Sequence, residues 1–221
     1  MTHISNAMDI LPEERDAVYK TIHSRRDTRS EFLPGLIPEE VLQRILGAAH
    51  HAPSVGFMQP WDFIVVKDCD TRQKIKDGFE VAHAEATRMF EGEKRERYQS
   101  FKLEGIMEAP MGICITCDRS RTGPVVIGRT ANPEMDLYSS VCAVQNLWLA
   151  ARAENIGIGW VSIVSHDVMR DALGIPEGIM PIAYLCIGYV SEFHDQPELE
   201  KAGWLPRLSL ESVTHYERWS K

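Results

Sequence analysis

No apolar run among the 221 residues approaches the roughly 18 needed to cross a bilayer, so no membrane-spanning helix is expected. The opening stretch MTHISNAMDILPEERD lacks the charged-then-apolar order of an export signal. GxGxxG, the phosphate loop GxxxxGK[ST], HExxH and GxSxG are all missing, which removes the common nucleotide-loop, zinc-protease and serine-hydrolase signatures. Positive charge is scarce as well. Lys and Arg number 24 against 32 Asp and Glu, for a net charge of −8. A general nucleic-acid binder needs basic side chains spread over a wide face, and this balance argues against one.

Cysteine is sparse and odd in number, at positions 69, 114, 117, 142 and 186. With no export signal these read as reduced thiols of a cytoplasmic protein. Cys114 and Cys117 form a CxxC inside MGICITCD, an apolar, β-branched run that predicts a strand. Residues three apart in a strand face opposite ways, whereas a redox CxxC opens a helix. No second Cys pair is present to complete a zinc site, and His50-His51 has no partner ligands nearby, so no metal is expected.

Against this acidic background SRRDTRSEF, residues 24–32, sets three arginines within five positions and one aspartate among them. A guanidinium is a planar fork that grips phosphate through two parallel bonds, and neighbouring arginines reach different parts of one ligand. The stretch is therefore a candidate anion site. A plainer reading also accounts for it: the arginines cap the preceding helix and pair with Glu31, and Asp27 spaces the charges.

Periodicity and capping predict helices over 12–24 and 38–51, and a strand in WDFIVVKD. A charged helical stretch follows over 71–108, interrupted near Glu91-Gly92. MGICITCD is then a strand, and a Gly-, Pro- and Arg-rich loop leads to a long helix over 136–157. That helix is expected to be central, packed on nearly all sides, with Gly157 as its C-terminal cap. IGWVSIV reads as a strand, SHDVMRDALGIP as a helix from Ser165 to Gly174, and 181–190 as a last strand. Interleaved helices and strands give an α+β or three-layer α/β domain. The polar stretch 84–108 is a candidate lid, and 191–221 a candidate arm reaching a partner subunit. The length of residues 1–221 suits one domain, or one domain with an extended arm, and the chain shows no internal repeat or low-complexity tract.

Four blocks, RRDTRSEF, APSVGFMQPW, NLWLAARAENIGIGW and RLSLESVTHYERW, come in an order that resembles the flavin-dependent nitroreductase superfamily and span nearly the whole chain. The resemblance implies a three-layer α/β/α fold with a mainly antiparallel sheet and a long central helix. It further implies a cytoplasmic homodimer with FMN in two interface clefts. By position, Arg25, Arg26, Thr28, Arg29, Ser54, Met58, Gln59, Leu103 and Arg207 are the implied flavin contacts. Two departures stand out: Asp27 where the superfamily carries serine, and Phe57 where it carries asparagine. Together with GRTANPEMDLYSSVCAVQNLWLAARAE, KLEGI and GWVSI they resemble one branch. Members of that branch consume reduced FMN as a substrate with dioxygen and need no metal. They break the flavin to 5,6-dimethylbenzimidazole, the lower ligand of vitamin B12, and erythrose 4-phosphate, and a separate flavin reductase supplies the reduced FMN. Asp27 and Ser162 match the branch's functional polar positions. Two alternatives stay open: an NAD(P)H-dependent nitro or flavin reductase, and an FMN-binding dimer without activity.

Overall fold

The computed structural model describes residues 9–220; residues 1–8 of the export-signal reading and Lys221 at the end of the single-domain and arm expectations lie outside the described residues. The sheet comes from four runs rich in β-branched and apolar residues: β1 (Trp61–Val66), β2 (Met111–Asp118), β3 (Ile156–Val161) and β4 (Ile179–Tyr189). They lie in the order β1-β2-β4-β3, and every pair is antiparallel. Strands β2 and β4, buried on both faces, carry almost no charge. This is an α+β fold.

The sheet's alternation feeds two cores. On one face Ile113, Ile115, Ile158 and Leu185 pack with Leu42, Ile45 and Ala49 of α2 (Glu39–His50) and with Val144, Leu147 and Ala151 of α5 (Met135–Ala153). On the other, Cys114, Tyr184 and Cys186 pack with Ile75 and Phe79 of α3 (Cys69–Arg88) and with Met169 of α6 (His166–Leu173). Helices thus cover both faces in three layers. The CxxC is built as a strand: Cys114 faces one core while its neighbours Ile113 and Ile115 face the other. Burial pushes the Cys114 thiol up to about 12, so it stays protonated at neutral pH.

Two helix ends follow the sequence signals closely. Ser165 Oγ accepts the Val168 N–H at 3.2 Å, and Gly174 closes α6 in the left-handed region at φ 66°. The end of α5 differs from expectation. It stops at Ala153, and Asn155, not Gly157, takes the left-handed turn at φ 57°. Asparagine tolerates that conformation. Gly157 instead lies inside β3, where a side chain would collide with Val190 and Thr28. Nor does its own chain cover α5 on all sides, since Tyr138 and Val141 form an exposed stripe.

The remaining helices lie at the margins. α1 (Pro12–Ser24) buries no residue, and Val18 and Ile22 line an apolar groove against Ala150 and Ala153 of α5. α4 (Gly92–Ser100) lies in the stretch 84–108 and buries only Tyr98. α7 (Glu198–Lys201) follows the sheet, and most of 202–220 beyond it is exposed. Among the described residues no helix is long and apolar enough to cross a membrane.

Candidate functional site

The arginine-rich stretch leaves α1 at Arg25 and crosses the edge of β3. Thr28 N–H donates to the Ile158 carbonyl at 2.9 Å, and Asp27 Oδ1 accepts the Trp160 N–H at 3.0 Å. Further along, Phe32 bridges to Val190, with Leu33 N–H donating to Tyr189 at 2.8 Å. The stretch can lie this close because β3 reads IGIGW. A Cβ on Gly159 would strike the Thr28 carbonyl oxygen, and one on Gly105 the Arg29 carbonyl. Three glycines, at 105, 157 and 159, thus form the seat of residues 27–29.

Seated there, Arg25, Arg26, Asp27 and Arg29 line a cavity of about 220 Å³, closed on its far side by Pro197, Glu198 and Arg207. Four guanidinium groups meet in it. Arg25 stacks over Trp148, its central carbon 4.5 Å from the ring centroid, and burial lowers its pKa. Arg26 spends its Nη atoms on the carbonyls of His23, Arg25 and Asp195, which leaves its buried Nε without a partner. Arg29 is enclosed, with 11% of its side chain exposed, between Asp27 Oδ2 at 2.6 Å and Glu198 Oε2 at 2.5 Å. Asp27 is 32% exposed in the cavity wall. Burial raises its pKa; Arg29, the Trp160 N–H and Arg25 pull it down, and Glu198 pushes it up. An uncommitted buried N–H and an excess of guanidinium over carboxylate are the chemistry of an anion receptor.

The other expected site residues fall in three places. Thr28 turns inward, its side chain buried against Gly157. Ser162 directly follows β3, is exposed, and makes no hydrogen bond among the described residues. Leu103 is half-buried against the second core. Ser54, Met58 and Gln59 belong to a separate loop that does not line the arginine cavity of its own chain. That loop is strained. Gly56, Phe57 and Gln59 all have positive φ, at 53°, 54° and 46°. Ser54 Oγ pins it by accepting the Gln59 N–H at 3.1 Å, and Ser139 Oγ by accepting the Val55 N–H at 3.0 Å. Val126 and Ile127 press against Gly56 from a loop tied down by Arg119 and Arg129, both paired with the fully buried Asp136 at 3.1 and 3.3 Å. Met58 faces inward at 2% exposure, whereas Phe57 stands out at 80%.

Sequence reasoning missed Glu198, His194 and Trp148, which shape the cavity. The only signal was the compact run FHDQPELE, with Pro197 just before a helix start.

The nitroreductase family model matches residues 22–189, from the end of α1 to the end of β4. The chain belongs to the nitroreductase family. It is 40% identical over 196 residues to the 5,6-dimethylbenzimidazole synthase of Rhodospirillum rubrum, covering 89% of this chain and 92% of that one. A 5,6-dimethylbenzimidazole synthase of Rhodobacter capsulatus is 35% identical, over 92% of this chain and 98% of its own. These relatives put the chain on the 5,6-dimethylbenzimidazole synthase branch of the family, as an enzyme. Among solved structures, an iodotyrosine deiodinase bound to FMN and 3-iodo-L-tyrosine shares the fold. Its TM-score is 0.72 at 20% identity, with 91% of this chain and 100% of that one covered.

Proposed function

We propose that this nitroreductase-family enzyme is an oxidoreductase that consumes reduced FMN with dioxygen. Its products are 5,6-dimethylbenzimidazole, used as the lower ligand of vitamin B12, and erythrose 4-phosphate. The observation that carries the reading is Asp27, a carboxylate in the wall of an arginine-lined cavity, in a position where the superfamily pattern has serine. Recycling a flavin asks for no base beside its ribityl chain; breaking one does.

The cavity's chemistry fits the group. Arg25, Arg26 and Arg207 would hold the phosphate, with Arg26 Nε as a ready donor. Bound reduced flavin would supply both the electrons that dioxygen takes and the carbon atoms of the product. Asp27, made more basic by burial, would take up a proton from the ribityl chain next to the ring. Its orientation is fixed, because Trp160 N–H holds one carboxylate oxygen and Arg29 the other. The uncommitted Ser162 hydroxyl would hydrogen-bond the flavin edge.

The loop carrying Ser54, Met58 and Gln59 would complete the site from a second copy, which makes the working unit a homodimer. Exposed apolar surface on α1, on α5 and along 205–219 supports this. Phe57 and Leu103, with the stretch 84–108 as a lid and 191–221 as an arm, would keep the flavin face dry and closed to nicotinamide. Reduced FMN would then come from a separate reductase, and the reaction would run in the cytoplasm.

The test is to mix the protein with chemically reduced FMN in air without nicotinamide and to look for 5,6-dimethylbenzimidazole by mass. The expected result is product formed as FMN disappears. Rapid NAD(P)H oxidation with FMN conserved would instead identify a reductase, and FMN binding with neither reaction a carrier.

A further inference from the structure

One guanidinium in the cavity serves two carboxylates. Arg29 gives Nη2 to Asp27 and Nη1 to Glu198, and neither pair is a two-armed fork. Left with a single carboxylate, an arginine closes on it bidentately, the stronger and more specific arrangement. Glu198 comes from α7, 169 residues away in sequence, and has no other salt-bridge partner among the described residues.

We propose that Glu198 is a positioning residue for Asp27: by holding one arm of their shared guanidinium, it stops Arg29 from closing on Asp27 and leaves that carboxylate available to the cavity. The proposal names a further residue for the reaction proposed above and rests on that reading only for its catalytic consequence.

The surroundings of Asp27 leave Glu198 as the one group able to do this. Its own loop presents Arg25 and Arg29, both of which favour the carboxylate. β3 presents only the Trp160 N–H, and β4 the buried Cys186 thiol, held protonated by its burial. Arg26 is committed to carbonyls. His194, at the cavity wall, sits 3.0 Å from Glu31. Arg207 lies across the cavity with its backbone N–H on Glu200. Glu198 sets negative charge against Asp27, and does so through the same arginine that Asp27 uses.

Replacing Glu198 by Gln removes one negative charge from the cavity and frees Nη1 of Arg29 to turn to Asp27. Two effects of opposite sense follow. Oxidised FMN binds more tightly, by about tenfold, because one carboxylate is gone from the cavity proposed to hold its phosphate. Product formation slows by about tenfold, as a better-paired carboxylate becomes a weaker base. A merely structural loss would weaken both.

The deciding measurement needs no flavin. The Asp27 carboxylate is titrated by carbon NMR in aspartate-labelled protein, assigned by its disappearance in Asp27→Asn. In Glu198→Gln the midpoint moves to lower pH, and the acid limb of the pH–rate profile moves with it. Glu198→Asp keeps the charge and restores both toward wild type. An unmoved Asp27 titration in folded Glu198→Gln overturns the proposal, as does a wild-type midpoint lost equally in Glu198→Asp and Glu198→Gln. Failure of the flavin reading shows separately, as wild-type protein that forms no 5,6-dimethylbenzimidazole.

Discussion

Replacing Gly159 by Ala tests whether the seat on β3 positions Asp27. A Cβ at residue 159 would lie far inside 3.0 Å of the Thr28 carbonyl oxygen, by nearly another ångström, which real Cβ atoms essentially never do, and the obstacle is backbone, which cannot rotate away. Carbon and oxygen in contact stand about 3.3–3.6 Å apart, so the stretch 27–29 must lift by roughly 1 Å. That shift weakens both bonds tying it to the strand, Thr28 N–H to Ile158 and Trp160 N–H to Asp27. Overpacking of this kind costs about 1–3 kcal/mol. In a chain this long that lowers Tm by about 2–4 °C per kcal/mol, so the protein stays folded. Catalysis suffers more, since a 1 Å misplacement of a reacting group is worth about 100-fold. Gly47→Ala is the control. Nothing lies within 4 Å of its Cβ, it sits inside α2, and helix propensity predicts a gain of about 0.5–1 kcal/mol. Thermal melts and product formation from reduced FMN, read side by side, decide the matter. A Gly159→Ala enzyme with wild-type turnover and an unchanged melt would refute the seat.

Three further outcomes are expected. Asp27→Asn should lower product formation by about 10²–10⁴-fold. It should leave stability at neutral pH unchanged or higher: a carboxyl whose folded pKa is raised stabilises the fold below its unfolded value, 3.8, and that contribution is lost as pH rises through the folded value, so ionised Asp27 is a net cost at pH 7. Trp204→Ala removes edge contacts to Phe90 and Phe101 at 5.8 and 5.5 Å, about 0.5–1.5 kcal/mol each. Hydrogen exchange should then quicken over 90–101 while the global melt hardly moves. Glu31 is held down to about 2, burial opposing and bonds from the Ser30 hydroxyl, the Arg29 N–H and His194 prevailing. Its contribution is complete above 4.5, its ordinary value, and fades as pH falls toward 2, so Glu31→Gln should flatten the stability–pH curve in that window.

What could be read from the sequence was whatever is local. The arginine cluster announced itself because three like charges within five residues stand out in an acidic chain, although helix capping and pairing with Glu31 account for them as well until the family resemblance is added. The strands announced themselves through β-branched runs, and α6 through Ser165 and Gly174. Gly157 was misread because a glycine after a helix signals a cap, and nothing nearby in sequence reveals that Thr28 and Val190 press on it across the fold. The pairing of Glu198 was hidden for the same reason, since its partner lies 169 residues upstream. The strain at Phe57 was equally hidden. Proline and glycine mark 53–60 as a turn, but only the packing of Val126 and Ile127 on Gly56 shows how tightly it is drawn.

Of the four blocks that carry the family resemblance, three meet at the cavity within one chain and one does not. RRDTRSEF builds the cavity together with the start of the C-terminal segment, whereas APSVGFMQPW builds a strained loop elsewhere, its Phe57 turned outward. Strain of about 1–3 kcal/mol per residue persists only where surrounding structure enforces it, and here Ser54, Ser139 and the Asp136-anchored loop do so. A conformation so held, ending in an exposed aromatic, makes sense when it is presented to something. α1 buries no residue, α5 leaves Tyr138 and Val141 bare, and Leu205, Leu208, Leu210, Val213 and Trp219 follow one another along the exposed tail. So much apolar surface on one chain calls for cover. A second copy would supply it symmetrically, and in the site proposed above the loop of each chain would meet the arginine cavity of the other. The same contact that covers the tail would then assemble the flavin site, so disrupting it with Val141→Lys should cost FMN binding even though Val141 lines neither the cavity nor the loop.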